Sequence, residues 1–174
     1  MKTLISAILL AAPIFAEAAD YSEFVKKWEG VKTKVYTDTA GKRTIGIGIN
    51  IDDPSAQGKL KRFGISVSSL LGGKSLTYSQ IHGLFQQELA FAIVTAKETF
   101  PSFNSQPAIV KQIMVDLCYN LGENKIKGFV KFKAAVERKD YKTASAELVD
   151  SKWYTQTGKR AKHHVEAIKY AGRK

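Results

Sequence analysis

Glu29, Asp38 and Thr44 stand close together in "WEGVKTKVYTDTAGKRTIGIGIN", with eight residues between the first two and five between the last two. Two carboxylates and a hydroxyl are what hydrolysis of a glycosidic bond calls for. One acid protonates the leaving oxygen and, in the inverting version, a base activates water on the opposite face of the sugar ring. The two carboxyl groups must then differ in ionisation. Glu29 closes a short helical segment beside Trp28, where the negative end of the helix dipole and an apolar neighbour both favour the neutral acid. Asp38 falls at a solvated bend near Lys42 and Arg43, which favours the carboxylate. Such an opposed pair is how acid and base roles are divided. Thr44 supplies a hydroxyl able to orient the water, and glycines 46 and 48 let a sugar chain come close to the backbone. Taken singly, a Glu before Gly, an Asp at a turn and a Thr in a strand are ordinary structural choices. The "GIG" element is no nucleotide fingerprint, since position 51 is Ile and no βαβ unit surrounds it.

The elements that must hold these residues can be read from periodicity and capping. "DYSEFVKKWEG" predicts a short helix with Asp20 as N-cap, Glu23 at the box position and a stop at Gly30, so that Glu29 lies on its last turn. "KVYTDTAGKRTIGIGIN" alternates around "TAGK", which predicts a hairpin bending near Ala40 and Gly41, with Thr44 opening the return strand. Asp52 and Asp53 precede Pro54 as the cap of a following helix rather than as a calcium site. Thr77 and Gln80 form a capping box for a long helix whose apolar stripe runs through 81, 84, 85, 89, 92, 93 and 96. A buried helix over about 106–121, ended by Gly122, and shorter helices near 129–138, 141–150 and 158–170 complete the chain. The fold class is α+β, predominantly α: a small helix-plus-hairpin lobe, a larger all-helical lobe and a cleft between them.

Composition narrows the setting. The first 18 residues have one lysine, an apolar run from Leu4 to Phe15 and the small-x-small site Ala16-Glu17-Ala18, the grammar of a cleaved secretory signal. The run is too short to span a bilayer. Residues 19–174 then form one catalytic domain, expected as a monomer that is secreted or periplasmic. Cys118, the only cysteine, follows the helical apolar spacing of "IVKQIMVDLCYNLG" and reads as core, so no intramolecular disulfide forms. The net charge of +11 points to an anionic partner such as wall polymer or a lipid surface. Nucleic acid is disfavoured by the export signal and the lack of a recognised module. His163 and His164 are adjacent and have no cysteine partners, and His82 lies on a polar helix side, so neither a metal nor a cofactor is expected.

The combination of Glu29, Asp38, Thr44 and the following "IGIG" resembles the catalytic segment of the phage-type lysozymes (T-even endolysins, glycoside hydrolase family 24). "YNLGENKIKGF" and "SKWYTQTGKRAK" resemble two further blocks of that family, so the likeness covers nearly all of residues 19–174. It implies Glu29 as general acid, Asp38 as the water-activating carboxylate and Thr44 as the water-positioning hydroxyl, with no metal or cofactor. It also implies an inverting muramidase acting on the β-1,4 bond between N-acetylmuramic acid and N-acetylglucosamine. The same likeness has Arg160 approaching Glu29, holding it in place and lowering its pKa, with Trp153 and Asn120 bracing the cleft and Gln156 nearby, and puts Asn50, Tyr119, Phe132 and Glu147 where relatives contact sugar. The chain departs from the pattern at Ile49, where a histidine often follows "IGIG", at Trp28, where an acidic residue often precedes the Glu, and at three of the four sugar positions, of which only Tyr119 conforms. Those departures leave sugar preference open, de-acetylated glycan included.

Two rivals follow from other features. "KRAKHHVEAIKYAGRK" is basic with apolar residues at 165, 168 and 170, as in a cationic antibacterial protein that binds membrane or wall. A chitin- or chitosan-cleaving enzyme would use the same acid and base.

Overall fold

The computed structural model describes residues 21–38 and 41–172. Residues 1–18, expected as a secretory signal, the expected Asp20 cap and Ala40 lie outside the described residues. The chain divides into two compact units, one running to Leu89 and the other starting at Ala90, with the boundary inside a long helix. The α+β class with a helical majority is the observed one.

The first unit begins with helix α1 (residues 21–26), which buries Tyr21 and Val25. Its end tightens into i→i+3 bonds, Trp28 N–H to the Val25 carbonyl at 3.1 Å and Glu29 N–H to the Lys26 carbonyl at 3.1 Å. Glu29 therefore sits just beyond the helix rather than on its last turn, and its own amide closes one of the terminal carbonyls. Strands β1 (Lys32–Thr37), β2 (Arg43–Gly46) and β3 (Ile49–Asn50) form an antiparallel sheet in that order. The register pairs Tyr36 with Thr44 and Thr44 with Asn50, so these three share one face. Ile45 opposite Ile49 occupies the other face, where both are buried. The alternation in the sequence thus divides core from working surface within a few residues.

Helices α2 (Ala56–Lys61) and α3 (Val67–Leu71) follow. The α2 cap differs from expectation. The Asp53 carboxylate accepts from Ser55 N at 2.8 Å and from Ser55 Oγ at 2.6 Å, and the helix starts after Ser55 rather than at Pro54. Asp52 turns away to take both the backbone and the guanidinium of Arg43.

Helix α4 (Tyr78–Thr99) opens with the expected reciprocal box: Gln80 N–H donates to Thr77 Oγ1 at 3.1 Å and Thr77 N–H donates to Gln80 Oε1 at 3.0 Å. Every position of its apolar stripe is buried. In the second unit, α5 (Ala108–Ile126) runs past the expected stop, but Gly122 breaks it with φ 73° and ψ 165°. Helices α6 (Val130–Glu137), α7 (Tyr141–Val149), α8 (Lys152–Thr157) and α9 (Lys159–Ala171) follow, and α9 packs on α5, α7 and α8. Helix α8 is an addition to the expected set; Ser151 caps it by accepting from Tyr154 N–H at 3.2 Å. Cys118 is 3 % exposed, and burial pushes its thiol up to about 12, as suits a core residue. Val165 and Ile168 of α9 are buried as well, so the apolar face of the basic helix belongs to the core. No helix among the described residues is long and apolar enough to cross a membrane.

Candidate active site

Glu29 and Asp38 are both half-buried. A Cβ placed on Gly48 would lie 3.1 Å from Glu29 Oε2, and Gly48 has φ +78°. Gly48 is exposed, and a side chain there would press on the carboxyl group and strain the backbone. Gly46, at φ +68°, is turned toward Leu76 and Ile81 and is buried, so it does not open the backbone to a sugar.

Asp38 is fixed by the bend it starts. Its Oδ1 accepts from Lys42 N–H at 2.8 Å, and its own N–H donates to the Lys42 carbonyl at 2.9 Å. Thr44, 3 % exposed, brings its hydroxyl within 3.4 Å of Asp38 Oδ2 and 3.1 Å of the Lys42 carbonyl. A hydroxyl has one proton, so donation to the carbonyl leaves a lone pair and the nearby carboxylate oxygen able to grip a water together. Arg43, the second cation expected beside Asp38, is bound to Asp52 instead, its Nη2 2.6 Å from Asp52 Oδ1. Asn50, opposite Thr44 in the register, accepts through Oδ1 from Asp52 N–H at 2.9 Å.

The helical unit holds the other expected residues in two groups. Glu147, Trp153, Gln156 and the ring of Phe132 line a groove of about 880 Å³ along with Phe129, Lys125 and Lys152. Phe132 is mainly core: it is 1 % exposed, with Phe100 and Phe129 packed edge-on at 6.0 and 6.4 Å. Tyr119 is half-buried. The second group is a polar belt that runs from exposed Asn120 into the core. Trp153 Nε1–H donates to Asn120 Oδ1 at 2.8 Å, and the Trp153 ring lies 5.6 Å from that of His164. Arg160 donates through Nε at 2.8 Å and Nη2 at 2.7 Å to the two oxygens of Asp116, and His164 Nε2 stands 2.5 Å from Asp116 Oδ2. Asp116 and His164 are both fully buried. Burial pushes the Asp116 carboxyl up, but the hydrogen bonds from His164 and Arg160 outweigh it and hold the group below the usual carboxylate range.

Neither Asp116 nor His164 is a site residue that sequence reasoning would pick. The available signal was an aspartate inside an otherwise apolar helical stripe, which demands a cationic partner. Among the described residues, no group of three or more His, Cys, Asp or Glu is arranged to hold a metal ion.

Residues 26–167 match the phage lysozyme family. The chain belongs to that family. As a phage lysozyme family member it is a glycoside hydrolase. It is similar to two proteins of Dictyostelium discoideum. One, described as probable T4-type lysozyme 2, is 27 % identical over 155 residues, which is 84 % of this chain and 91 % of the relative. The other, probable T4-type lysozyme 1, is 26 % identical over 161 residues with the same coverage.

Proposed function

We infer that this phage lysozyme family member is an inverting muramidase that cuts the β-1,4 bond between N-acetylmuramic acid and N-acetylglucosamine in peptidoglycan. Glu29 gives its proton to the glycosidic oxygen as the bond to the anomeric carbon breaks. Asp38 takes a proton from the water that Thr44 helps to hold, and the water oxygen bonds to the anomeric carbon from the opposite face. Each proton is accounted for: one leaves with the departing sugar hydroxyl, the other stays on Asp38. The observation that supports this reading is Thr44 Oγ1 within 3.4 Å of Asp38 Oδ2, with the Glu29 carboxyl beside Gly48 in the turn after the second strand of the same sheet. Inversion requires the carboxyl groups to be on the order of 6.5–9.5 Å apart, leaving space for a water.

The net charge of +11 suits an anionic wall polymer as substrate. Burial of Val165 and Ile168 speaks for an enzyme over a protein acting through a membrane-bound basic helix. Release of reducing ends from purified peptidoglycan, with none from chitin or chitosan, is the expected result. Preferential cleavage of chitin would transfer the same acid and base to a different substrate. In this reading the enzyme works outside the cytoplasm, with Ala19 as the first residue of the mature protein, which amino-terminal sequencing of exported protein tests.

A further inference from the structure

Tyr36 carries chemistry that the roles above leave unused. It stands on β1, two residues before Asp38, and pairs directly with Thr44, which pairs in turn with Asn50. The phenol thus belongs to the sheet face that carries the water-holding hydroxyl. Its ring is half-buried. Three influences raise its pKa above the ordinary tyrosine value: burial first, then the negative charge of Glu29, then that of Asp38. One comes from the turn after α1 and the other from the β1–β2 bend, so the phenol lies in the field of both carboxylates. The nearest strand cation on β2, Arg43, is engaged by Asp52 and does not offset that field. Thr44 and Asn50, the other members of the row, are uncharged.

We propose that Tyr36 is a further substrate-contacting residue of this centre: its hydroxyl donates a hydrogen bond to an oxygen of the sugar that lies between Glu29 and Asp38. The proposal rests on the glycosidase reading, because only a reaction flanked by both carboxylates puts a sugar at that point. Burial first, and the nearby carboxyl groups after it, raise the phenol above the ordinary tyrosine value, so it keeps its proton throughout the neutral range and remains a donor while Glu29 carries its own proton. Its short reach and stiff ring fix the sugar against the sheet face, and a donor aimed at one sugar oxygen discriminates more sharply than apolar contact can.

The test uses the full chain with Tyr36→Phe, which keeps the ring and removes only the hydroxyl. The expected result is a fall of about 10-fold in kcat/KM on peptidoglycan with an unchanged melting temperature. In parallel, tyrosine ring carbons labelled for NMR report the phenol's titration midpoint, which should move down in Glu29→Gln and again in Asp38→Asn. A Tyr36→Phe variant within twofold of wild-type kcat/KM, or a midpoint that neither carboxyl variant moves, overturns the proposal. Failure of the glycosidase reading looks different: the wild-type chain itself then releases no reducing ends.

Discussion

The strand-bearing unit and the helical unit each hold an aspartate against a threonine or an arginine, and they treat it in opposite ways. Asp38 is half-exposed and receives a backbone amide and a nearby hydroxyl. Asp116 is wholly buried and receives a guanidinium fork and an imidazole. A carboxylate whose two oxygens are held by a guanidinium and an imidazole in a dry interior is structural, since water does not reach it. One anchored by a backbone amide at a half-exposed bend can act as a base in the proposed reaction. The contrast shows that exposure and donor type, rather than the presence of an acid, separate working from structural carboxylates.

Breaking the buried fork should have the largest effect on stability. Asp116→Ala leaves Arg160 without its carboxylate in a dry site, at an expected loss of about 3–5 kcal/mol in urea unfolding. A loss under about 1 kcal/mol would mean the belt is not the strut described. Next comes the working side. Gly48→Ala sets a methyl group 3.1 Å from Glu29 Oε2, so the acid must give by a few tenths of an ångström and should lose about 10-fold in kcat with only modest loss of stability. Activity near wild type would show that Gly48 is not what seats the acid.

Asp116 also gives the helical unit a response to acid. Because the folded Asp116 carboxyl is held below its unfolded value, its contribution to stability is fully present above about pH 4 and disappears as pH falls through the lower, folded value. Acid unfolding curves of wild type and Asp116→Asn should therefore converge at low pH and separate above that point. A smaller effect, about 1 kcal/mol, is expected for Asn120→Ala, which removes the acceptor of the Trp153 indole. Cys118 should show no effect at all in the folded protein: its thiol resists a disulfide reagent at pH 8 and reacts once the chain is unfolded in urea.

Much of this arrangement was legible in the chain itself, for local reasons. The Thr77–Gln80 box, the α4 stripe and the Gly122 break are short-range features whose causes lie within a turn or two of helix. Glu29, Asp38 and Thr44 were legible for the same reason, since one helix end and one hairpin carry all three. What escaped was long-range or decided by tertiary contact. Nothing within a few residues of Asp116 reveals that its partners lie 44 and 48 positions later. Arg43 was expected at Asp38 by proximity in sequence, yet the return of β3 brings Asp52 to it instead. The role of Gly46 was misread because the sequence announces its conformational freedom without saying that it faces Leu76 and Ile81 in the core. Helix α8 was missed because its six residues hold too few apolar positions to show a period.

The account's central claim is that Glu29 is the proton donor at a glycosidic bond. Reducing-end release from purified peptidoglycan by Glu29→Gln, measured beside wild type at equal folded concentration, tests it most directly. Rate loss of at least about 1,000-fold with an unchanged melting curve is the predicted result. A substituted enzyme that still cleaves the polymer at a rate close to that of wild type would contradict the claim.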